Sequence, residues 1–367
     1  MDLISVTNDI ISKITEITYD EYALGDDVNQ EYNKNKINIL FEDMTNNFKD
    51  SEKKRIFNEF FSNGPLESLL SDSTISEIIV NSPNSIYYEK FGILHQHDDH
   101  FFSDFTYEKF IERICDQTNS LLNLDFPFAD TAYKNFRISI VDKCITHHYS
   151  SINFRRHPLQ SWTFEKLLNA DWCSESAFQE LKKVISEKKN FLVIGSTGAG
   201  KTSVLNSFLN LTESNERSII IEDTSEITVP NRACLKLLTK QDQTESKKDI
   251  TQTDLVKKSL RLRPDRIVMG EIRGGEAKDF LMALSTGHKG SFATLHASDA
   301  HQALIRLEML IQMGAPSWSL SAIRRLIFLS LEMIIVIGKN DKAERILKGG
   351  YQLTALEEHG FLIEKVF

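Results

Sequence analysis

An eight-residue glycine-rich loop constrains the fold of this chain more than any other feature. Gly195–Thr202 reads Gly-Ser-Thr-Gly-Ala-Gly-Lys-Thr, and it follows the apolar run Phe191–Ile194 and leads into an amphipathic stretch that starts at Lys201. A strand, a loop of this pattern and a helix together form a phosphate-binding loop, or P-loop. The loop therefore predicts an α/β domain in which a buried parallel strand leads into a helix.

The residue types in the P-loop suit a triphosphate bound with a magnesium ion. The glycines let the backbone curl, so that successive N–H groups and the positive end of the helix meet the phosphate charge. Lys201 is placed to contact the β- and γ-phosphates, and the Thr202 hydroxyl is placed to bind Mg²⁺. We therefore predict ATP and Mg²⁺ as cofactors. The predicted nucleotide-binding residues are Gly195, Ser196, Thr197, Gly198, Ala199, Gly200, Lys201, Thr202 and Ser203.

Two glutamates follow apolar strands downstream of the P-loop. Glu222 comes directly after the predicted strand 218–221, and Glu271 comes after the strand that begins at Arg266. Because the carboxyl ends of parallel strands converge on the ligand crevice, we expect both carboxylates near the γ-phosphate and Mg²⁺. Either glutamate could orient the attacking water. The alternative is that both are solvated acids that open turns.

Two histidines stand at the ends of a further short strand. His288 and His296 are eight residues apart, an even spacing that allows both to face one side of an extended strand. No nearby third ligand completes a metal site. Gly287 and Gly290 indicate close backbone approach, which favours a histidine that senses the γ-phosphate or a subunit interface.

The spacing of apolar segments divides the chain. We predict a helical and flexible extension over residues 1–50 and a small α/β domain over 51–157. A linker follows at 158–165, and the domain that carries the P-loop occupies 166–367. In that last domain, short apolar strands alternate with longer helical segments, which is typical of a parallel sheet covered on both faces.

Composition excludes several classes of partner and location. The net charge of −9 argues against tight nonspecific binding of nucleic acid, which depends on Lys and Arg neutralising phosphates. The apolar run 326–337 is too short to cross a bilayer as a helix. The first 17 residues lack the basic segment of a secretory signal. We therefore expect the protein to stay inside the cell, without nucleic acid as a partner.

Several segments in a fixed order resemble the type II/type IV secretion ATPase family. The run Arg261–Ala277 reads Arg-Leu-Arg-Pro-Asp-Arg-Ile-Val-Met-Gly-Glu-Ile-Arg-Gly-Gly-Glu-Ala, and the histidine segment and Ala303–Glu308 follow it. Upstream, Gly64–Leu70 and Ser76–Asn81 are similar to the N-terminal domain of the family. The nearest branch is the CpaF-type pilus-assembly ATPases.

The resemblance implies a fold and a set of roles. It implies a RecA-like P-loop NTPase domain preceded by a smaller α/β N-terminal domain, with nucleotide bound between them. Glu222 would be the base that positions water, and Glu271 would support Mg²⁺. Arg137 and Arg155 would contact the γ-phosphate from the N-terminal domain, and a guanidinium is well suited to that contact. His296 belongs to the histidine box of the family.

The resemblance also implies partners and a task. We expect a homo-hexameric ATPase, cytoplasmic and peripheral at the inner membrane, that acts on inner-membrane platform proteins. It would power the assembly, with or without retraction, of a type IV-like or tight-adherence pilus or a secretion apparatus. The alternatives are a conjugative-type secretion ATPase and a DNA-handling P-loop motor. A small-molecule kinase and a nucleotide-switched regulatory subunit share the loop and stay open.

Overall fold

The structure is a computed structural model that describes residues 2–24, 39–156, 162–240, 249–342, 344–358 and 360–367. The chain divides into two compact units, Met1–Leu159 (unit 1) and Gln160–Phe367 (unit 2). Residues 158–161 of the linker predicted at 158–165 lie outside the described residues, and the first helix of unit 2 begins within the predicted linker at Phe164. Residues 25–38 of the predicted extension also lie outside them.

The helices of unit 1 begin with a long N-terminal helix. It lies in the extension predicted over residues 1–50, and it packs Val6 and Ile10, four residues apart on one face, against Phe41 and Ile56. The helices are α1 (Leu3–Leu24), α2 (residues 39–45), α3 (Asp50–Phe61), α4 (Glu67–Ser71), α5 (Asp104–Thr118) and α6 (Lys143–Thr146), with a 3₁₀ turn at Gly64–Leu66.

Within the described residues, unit 1 has a six-stranded antiparallel sheet in the order β3-β2-β1-β6-β5-β4. Its strands are β1 (Ile75–Ser82), β2 (Ser85–Lys90), β3 (Ile93–Gln96), β4 (Phe128–Tyr133), β5 (Phe136–Val141) and β6 (Ser151–Arg156). The alternation of side chains buries Ile78, Phe154 and Ile138 in one core with α5. The opposite face therefore carries the polar residues of these strands.

Unit 2 is built on an eight-stranded sheet within the described residues, in the order β14-β13-β12-β7-β11-β10-β8-β9. The strands from β12 to β9 run parallel, and β13 and β14 continue from β12 as antiparallel strands. They are β7 (Phe191–Ile194), β8 (Ser218–Glu222), β9 (Leu235–Leu238), β10 (Arg266–Ile272), β11 (Phe292–Leu295), β12 (Met333–Lys339), β13 (Arg345–Glu357) and β14 (Gly360–Lys365).

Helices cover both faces of the sheet of unit 2. Val193 and Val268 pack on the side of α8 and α9, whereas Leu192 and Met269 pack on the side of α11, α12 and α13. The helices are α7 (Phe164–Asn169), α8 (Glu175–Ser186), α9 (Lys201–Leu209), α10 (Gln252–Ser259), α11 (Glu276–Ser285), α12 (Ala300–Gly314) and α13 (Leu320–Ser330). Burial on both faces explains why the parallel strands other than the edge strand β9 are apolar at nearly every position.

None of the helices in the described ranges combines the length and the apolar character needed to span a membrane.

Candidate nucleotide-binding site

The P-loop joins β7 to α9 at the carboxyl edge of the parallel strands. Gly198 has φ of 74° and Gly200 has φ of 92°, left-handed conformations that favour glycine. Gly195 is packed against the neighbouring strand, since a Cβ there would lie 2.8 Å from the carbonyl oxygen of Ile337. The three glycines therefore allow the tight turn that exposes the loop backbone ahead of the helix.

Lys201, the first residue of α9, is buried in the loop. Its side chain folds back, and Nζ donates hydrogen bonds to the carbonyl oxygens of Gly195 at 3.0 Å and Ser196 at 3.2 Å. The residue is 8% exposed. Thr202 and Ser203 follow it, half-buried, in the first turn of the helix. An ammonium group and the N-terminal amides of a helix thus meet at one point, which is the arrangement that binds phosphate.

His296 and Glu271 extend the site from the two strands beside β7. His296 follows β11, and its Nδ1 lies 3.2 Å from Nζ of Lys201. Its Nε2 lies 2.8 Å from Oε1 of Glu271 in β10. Burial and the adjacent Lys201 ammonium lower the pKa of His296, so its ring is neutral near pH 7. The other carboxylate oxygen of Glu271 accepts a hydrogen bond from Nε of Arg273 at 2.8 Å.

Glu222 ends β8 and is 4% exposed. Its Oε1 accepts hydrogen bonds from the backbone N–H groups of Glu226 and Ile227, both at 2.9 Å. Its Oε2 has no hydrogen-bond partner among the described residues, and Nζ of Lys236 lies 3.4 Å away. Burial raises the pKa of Glu222. A buried carboxylate with one oxygen free of hydrogen bonds is able to accept a proton.

The structure separates the two histidines. Nδ1 of His288 lies 3.0 Å from the carbonyl oxygen of Ala283, at the end of α11. His288 precedes β11 and His296 follows it, so they lie at opposite edges of the sheet. Only His296 is therefore part of the P-loop edge.

Arg137 and Arg155 lie side by side in unit 1. They are register partners on β5 and β6, and Glu77 on β1 is the register partner of Arg155. Their neighbours Ile138 and Phe154 point into the core, so the two arginines lie on the opposite, polar face of the sheet.

Two cations that the sequence interpretation missed lie against the P-loop. Nε of Arg345, at the start of β13, donates a hydrogen bond to the carbonyl oxygen of Gly198 at 3.2 Å. Lys339, its register partner on β12, approaches the same glycine, with Nζ 3.9 Å from the position of a Cβ at Gly198. No local motif marks either residue, because the contact joins residues 147 positions apart.

Comparison with known proteins gives the family. The model of the family described as "Type II/IV secretion system protein" matches residues 131–337. A putative conjugal transfer protein of Mycobacterium tuberculosis is 28% identical over 258 residues, 68% of this chain and 73% of that protein. The type IV secretion system protein PtlH of Bordetella pertussis is 34% identical over 161 residues, 43% of this chain and 47% of PtlH.

Solved structures share the fold. The Legionella pneumophila ATPase DotB aligns over 82% of this chain and 81% of its own, with a TM-score of 0.57 and 18% identity. The pilus retraction motor PilT, solved with bound ADP, aligns over 79% and 78%, with a TM-score of 0.53 and 18% identity. These likenesses confirm the predicted fold class, a RecA-like P-loop domain preceded by a smaller α/β domain.

Proposed function

Because this chain belongs to the type II/IV secretion system protein family, we propose that it is an ATP-hydrolysing motor of a secretion or pilus apparatus. The observation that carries the proposal is the buried ammonium of Lys201. The ammonium lies among the carbonyl groups of the P-loop and beside His296. A triphosphate bound there would contact both the positive charge of Lys201 and the N-terminal amides of α9.

The two glutamates take different roles in this proposal. Both oxygens of Glu271 are engaged, one by His296 and one by Arg273. In Glu222, Oε2 has no hydrogen bond among the described residues, and the Lys236 ammonium lies 3.4 Å from it. We therefore assign the base that positions the attacking water to Glu222, and we assign to Glu271 the support of the metal and of His296.

The donor set near the loop fits a magnesium ion. Mg²⁺ prefers oxygen ligands and takes few from the protein when phosphate oxygens complete its shell. Thr202 would supply a hydroxyl and Glu271 a carboxylate, directly or through water. The bound ion would offset charge on the phosphates of ATP. Lys201 and His296 would orient the γ-phosphate, and Glu222 would take the proton of the attacking water.

Arg137 and Arg155 are proposed to contact the γ-phosphate from unit 1. The support is their adjacent positions on the polar face of that sheet, together with the resemblance given above. Two guanidinium groups on neighbouring strands present several N–H donors to phosphate oxygens and offset the charge that develops during hydrolysis.

We further propose a cytoplasmic homo-hexamer that acts with platform proteins at the inner membrane. Two branches remain. The overall sequence resemblance favours the CpaF-type pilus ATPases, whereas the curated relatives are named for conjugal transfer and type IV secretion. Deleting the gene separates the branches. Loss of surface pili supports the first, and loss of DNA or protein export with pili intact supports the second.

The hydrolysis proposal is tested by measuring phosphate release from ATP and Mg²⁺ with no acceptor present. We expect turnover by the wild type. Lys201→Ala should bind ATP about tenfold or more weakly and lose turnover, and Glu222→Gln should bind tightly with little turnover. Lys289→Ala, which removes an exposed lysine, is the matched control. Normal turnover in Glu222→Gln would move the base to Glu271, and absence of turnover in the wild type would contradict the proposal.

The hexamer is tested by particle mass with and without a nonhydrolysable ATP analogue. A six-fold ring supports the proposal, and a monomer at all protein and nucleotide concentrations contradicts it.

A further inference from the structure

The carboxylate of Glu222 is buried beside one cation, Lys236 of β9. Burying a carboxylate is costly unless a charge or hydrogen bonds compensate it. Two backbone N–H groups compensate Oε1, but Oε2 has no hydrogen bond among the described residues. The Lys236 ammonium, 3.4 Å from Oε2, is the positive charge on that side.

The position of Lys236 is fixed by the strand that carries it. β9 lies parallel to β8 at the edge of the sheet, with Lys236 as the register partner of Ile220. The side chain therefore lies on the same face as Ile220 and Glu222, which is the face that α9 covers. The backbone N–H of Thr239, just after β9, donates to the carbonyl oxygen of Glu222 at 3.0 Å.

A second contact holds the ammonium in place. Nζ of Lys236 donates to Oγ of Ser225 at 2.8 Å, and the side chain is 19% exposed. Ser225 belongs to the turn that follows β8, and the N–H groups of this turn bind Oε1. Lys236 therefore contacts both this turn and Oε2 of Glu222, whereas the N–H groups of the turn bind Oε1.

The same turn is tied to the P-loop helix. Oδ1 of Asn206 in α9 accepts a hydrogen bond from the N–H of Thr228 at 2.8 Å. Ile227 packs in the core that α9 shares with β7. The orientation of Glu222 is thus connected through one turn to the helix that starts at Lys201.

The other charged groups around Glu222 are directed elsewhere. Asp223 accepts a hydrogen bond from the Thr239 hydroxyl at 3.1 Å and lies 3.9 Å from Arg273. Glu226 contacts the Glu222 carboxylate through its backbone N–H, which donates a hydrogen bond to Oε1. Arg273 donates to Glu271.

We propose that Lys236 is a positioning residue that holds Glu222 ionised and oriented for proton transfer, without contacting the nucleotide. The inference rests on the proposed function, because it takes Glu222 as the base. Burial already raises the pKa of Glu222, and the ammonium limits that rise. Without it, the carboxyl group would keep its proton to a still higher pH.

The test is the pH profile of ATP hydrolysis in Lys236→Met, with Lys236→Arg as the conservative variant. An opposite charge within about 4–6 Å lowers a carboxyl pKa by about 1–3. The acid limb of kcat should therefore move to higher pH by about 1 unit or more in Lys236→Met. KM and the affinity for ADP should stay at wild-type values, and Lys236→Arg should restore the limb.

Three controls make the result decisive. Lys240→Met removes an exposed lysine four residues further on and should leave the profile unchanged. Thermal unfolding monitors folding, and Lys236→Gln replaces Lys236→Met if the latter is unstable. Glu222→Gln identifies the base.

If the acid limb is unshifted in Lys236→Met (or Lys236→Gln) and Glu222→Gln is inactive, the role of Lys236 is overturned and the assignment of Glu222 as the base stands. Full turnover by Glu222→Gln overturns the assignment of the base, and the inference falls with it. A loss of stability without a shift of the limb gives Lys236 a structural role and also overturns the proposal.

Discussion

Among single residues, Arg345 connects the start of β13 to the P-loop. Its guanidinium donates to the Gly198 carbonyl, and Glu344, the acid next to it, is held instead by Nδ2 of Asn340 at 2.8 Å. A hydrogen bond to this carbonyl restricts the rotation of the adjoining peptide units of the loop. Arg345 therefore orders the loop before any ligand arrives.

We expect Arg345→Ala to weaken the binding of ADP and ATP alike, because the loop amides serve both nucleotides. A hydrogen bond of this kind contributes about 0.5–1.5 kcal/mol, so the Kd should rise about two- to tenfold. Fluorescence titration with a labelled nucleotide measures it. Lys342→Ala, an exposed charge in the same turn, is the control. Equal nucleotide affinities for Arg345→Ala and the control would show that Arg345 does not order the P-loop for binding.

At the level of elements, Arg266 joins three segments at the amino edge of the sheet of unit 2. The side chain is 2% exposed and donates to Glu216 at 2.7 Å and to the carbonyl oxygens of Gly290 and Ile185, both at 3.0 Å. One guanidinium thus connects β10 to the end of α8, to the segment before β8 and to the turn before β11. It lies at the opposite edge from the P-loop.

We predict that Arg266→Leu destabilises the protein without acting directly on catalysis. Removing the guanidinium leaves Glu216 with the partly exposed Lys188 as its remaining cation, 2.6 Å away, and takes a donor from two backbone carbonyl groups. We therefore expect a cost of up to about 3–5 kcal/mol. Denaturant unfolding measures the free energy. Lys183→Ala, from an exposed pair with Glu180, should have little effect on the free energy of unfolding. Similar losses for the two variants would contradict the assignment of a buried structural pair.

Elements that the sequence predicts well are those with a strong local pattern. The strand Phe191–Ile194 and the P-loop after it could be predicted because an apolar run is followed directly by a fixed motif. By contrast, β3 and β9 were not predicted. They are four-residue edge strands with exposed or half-exposed side chains, so they lack the apolar pattern of a buried strand.

The residues of the candidate site also divide into those that the sequence predicts and those that it does not. Glu222, Glu271 and His296 could be proposed from strand ends, since parallel strands bring those ends to one edge. Lys236 and Arg345 could not. Their roles come from register and from contacts across long stretches of chain, and no local spacing records such contacts.

At the scale of the whole molecule, the proposed hydrolysis mechanism requires a contribution from unit 1. Arg137→Ala and Arg155→Ala should each lower kcat at least tenfold, because donors that stabilise transition-state charge are commonly worth about 100-fold or more. The affinity for ADP, which lacks the γ-phosphate, should not change. Lys54→Ala, an exposed charge in the same unit, is the control. Full activity in both arginine variants would remove unit 1 from the mechanism.

The net charge of −9 bears on which motor this is. A DNA-handling motor would show hydrolysis stimulated by nucleic acid, with a steep dependence on salt. We expect the ATPase rate to be unchanged by added DNA at moderate salt. Stimulation of several fold that disappears as salt rises would favour the DNA-handling alternative.

The central claim is that the loop ending at Thr202 binds a triphosphate, and direct titration of the purified protein with ATP and Mg²⁺ tests it. We predict saturable binding at the P-loop that Lys201→Ala weakens by about tenfold or more, since hydrogen bonds to a charged group contribute about 1.5–3 kcal/mol. Absence of measurable binding by the wild type, or equal binding by Lys201→Ala, would contradict the account.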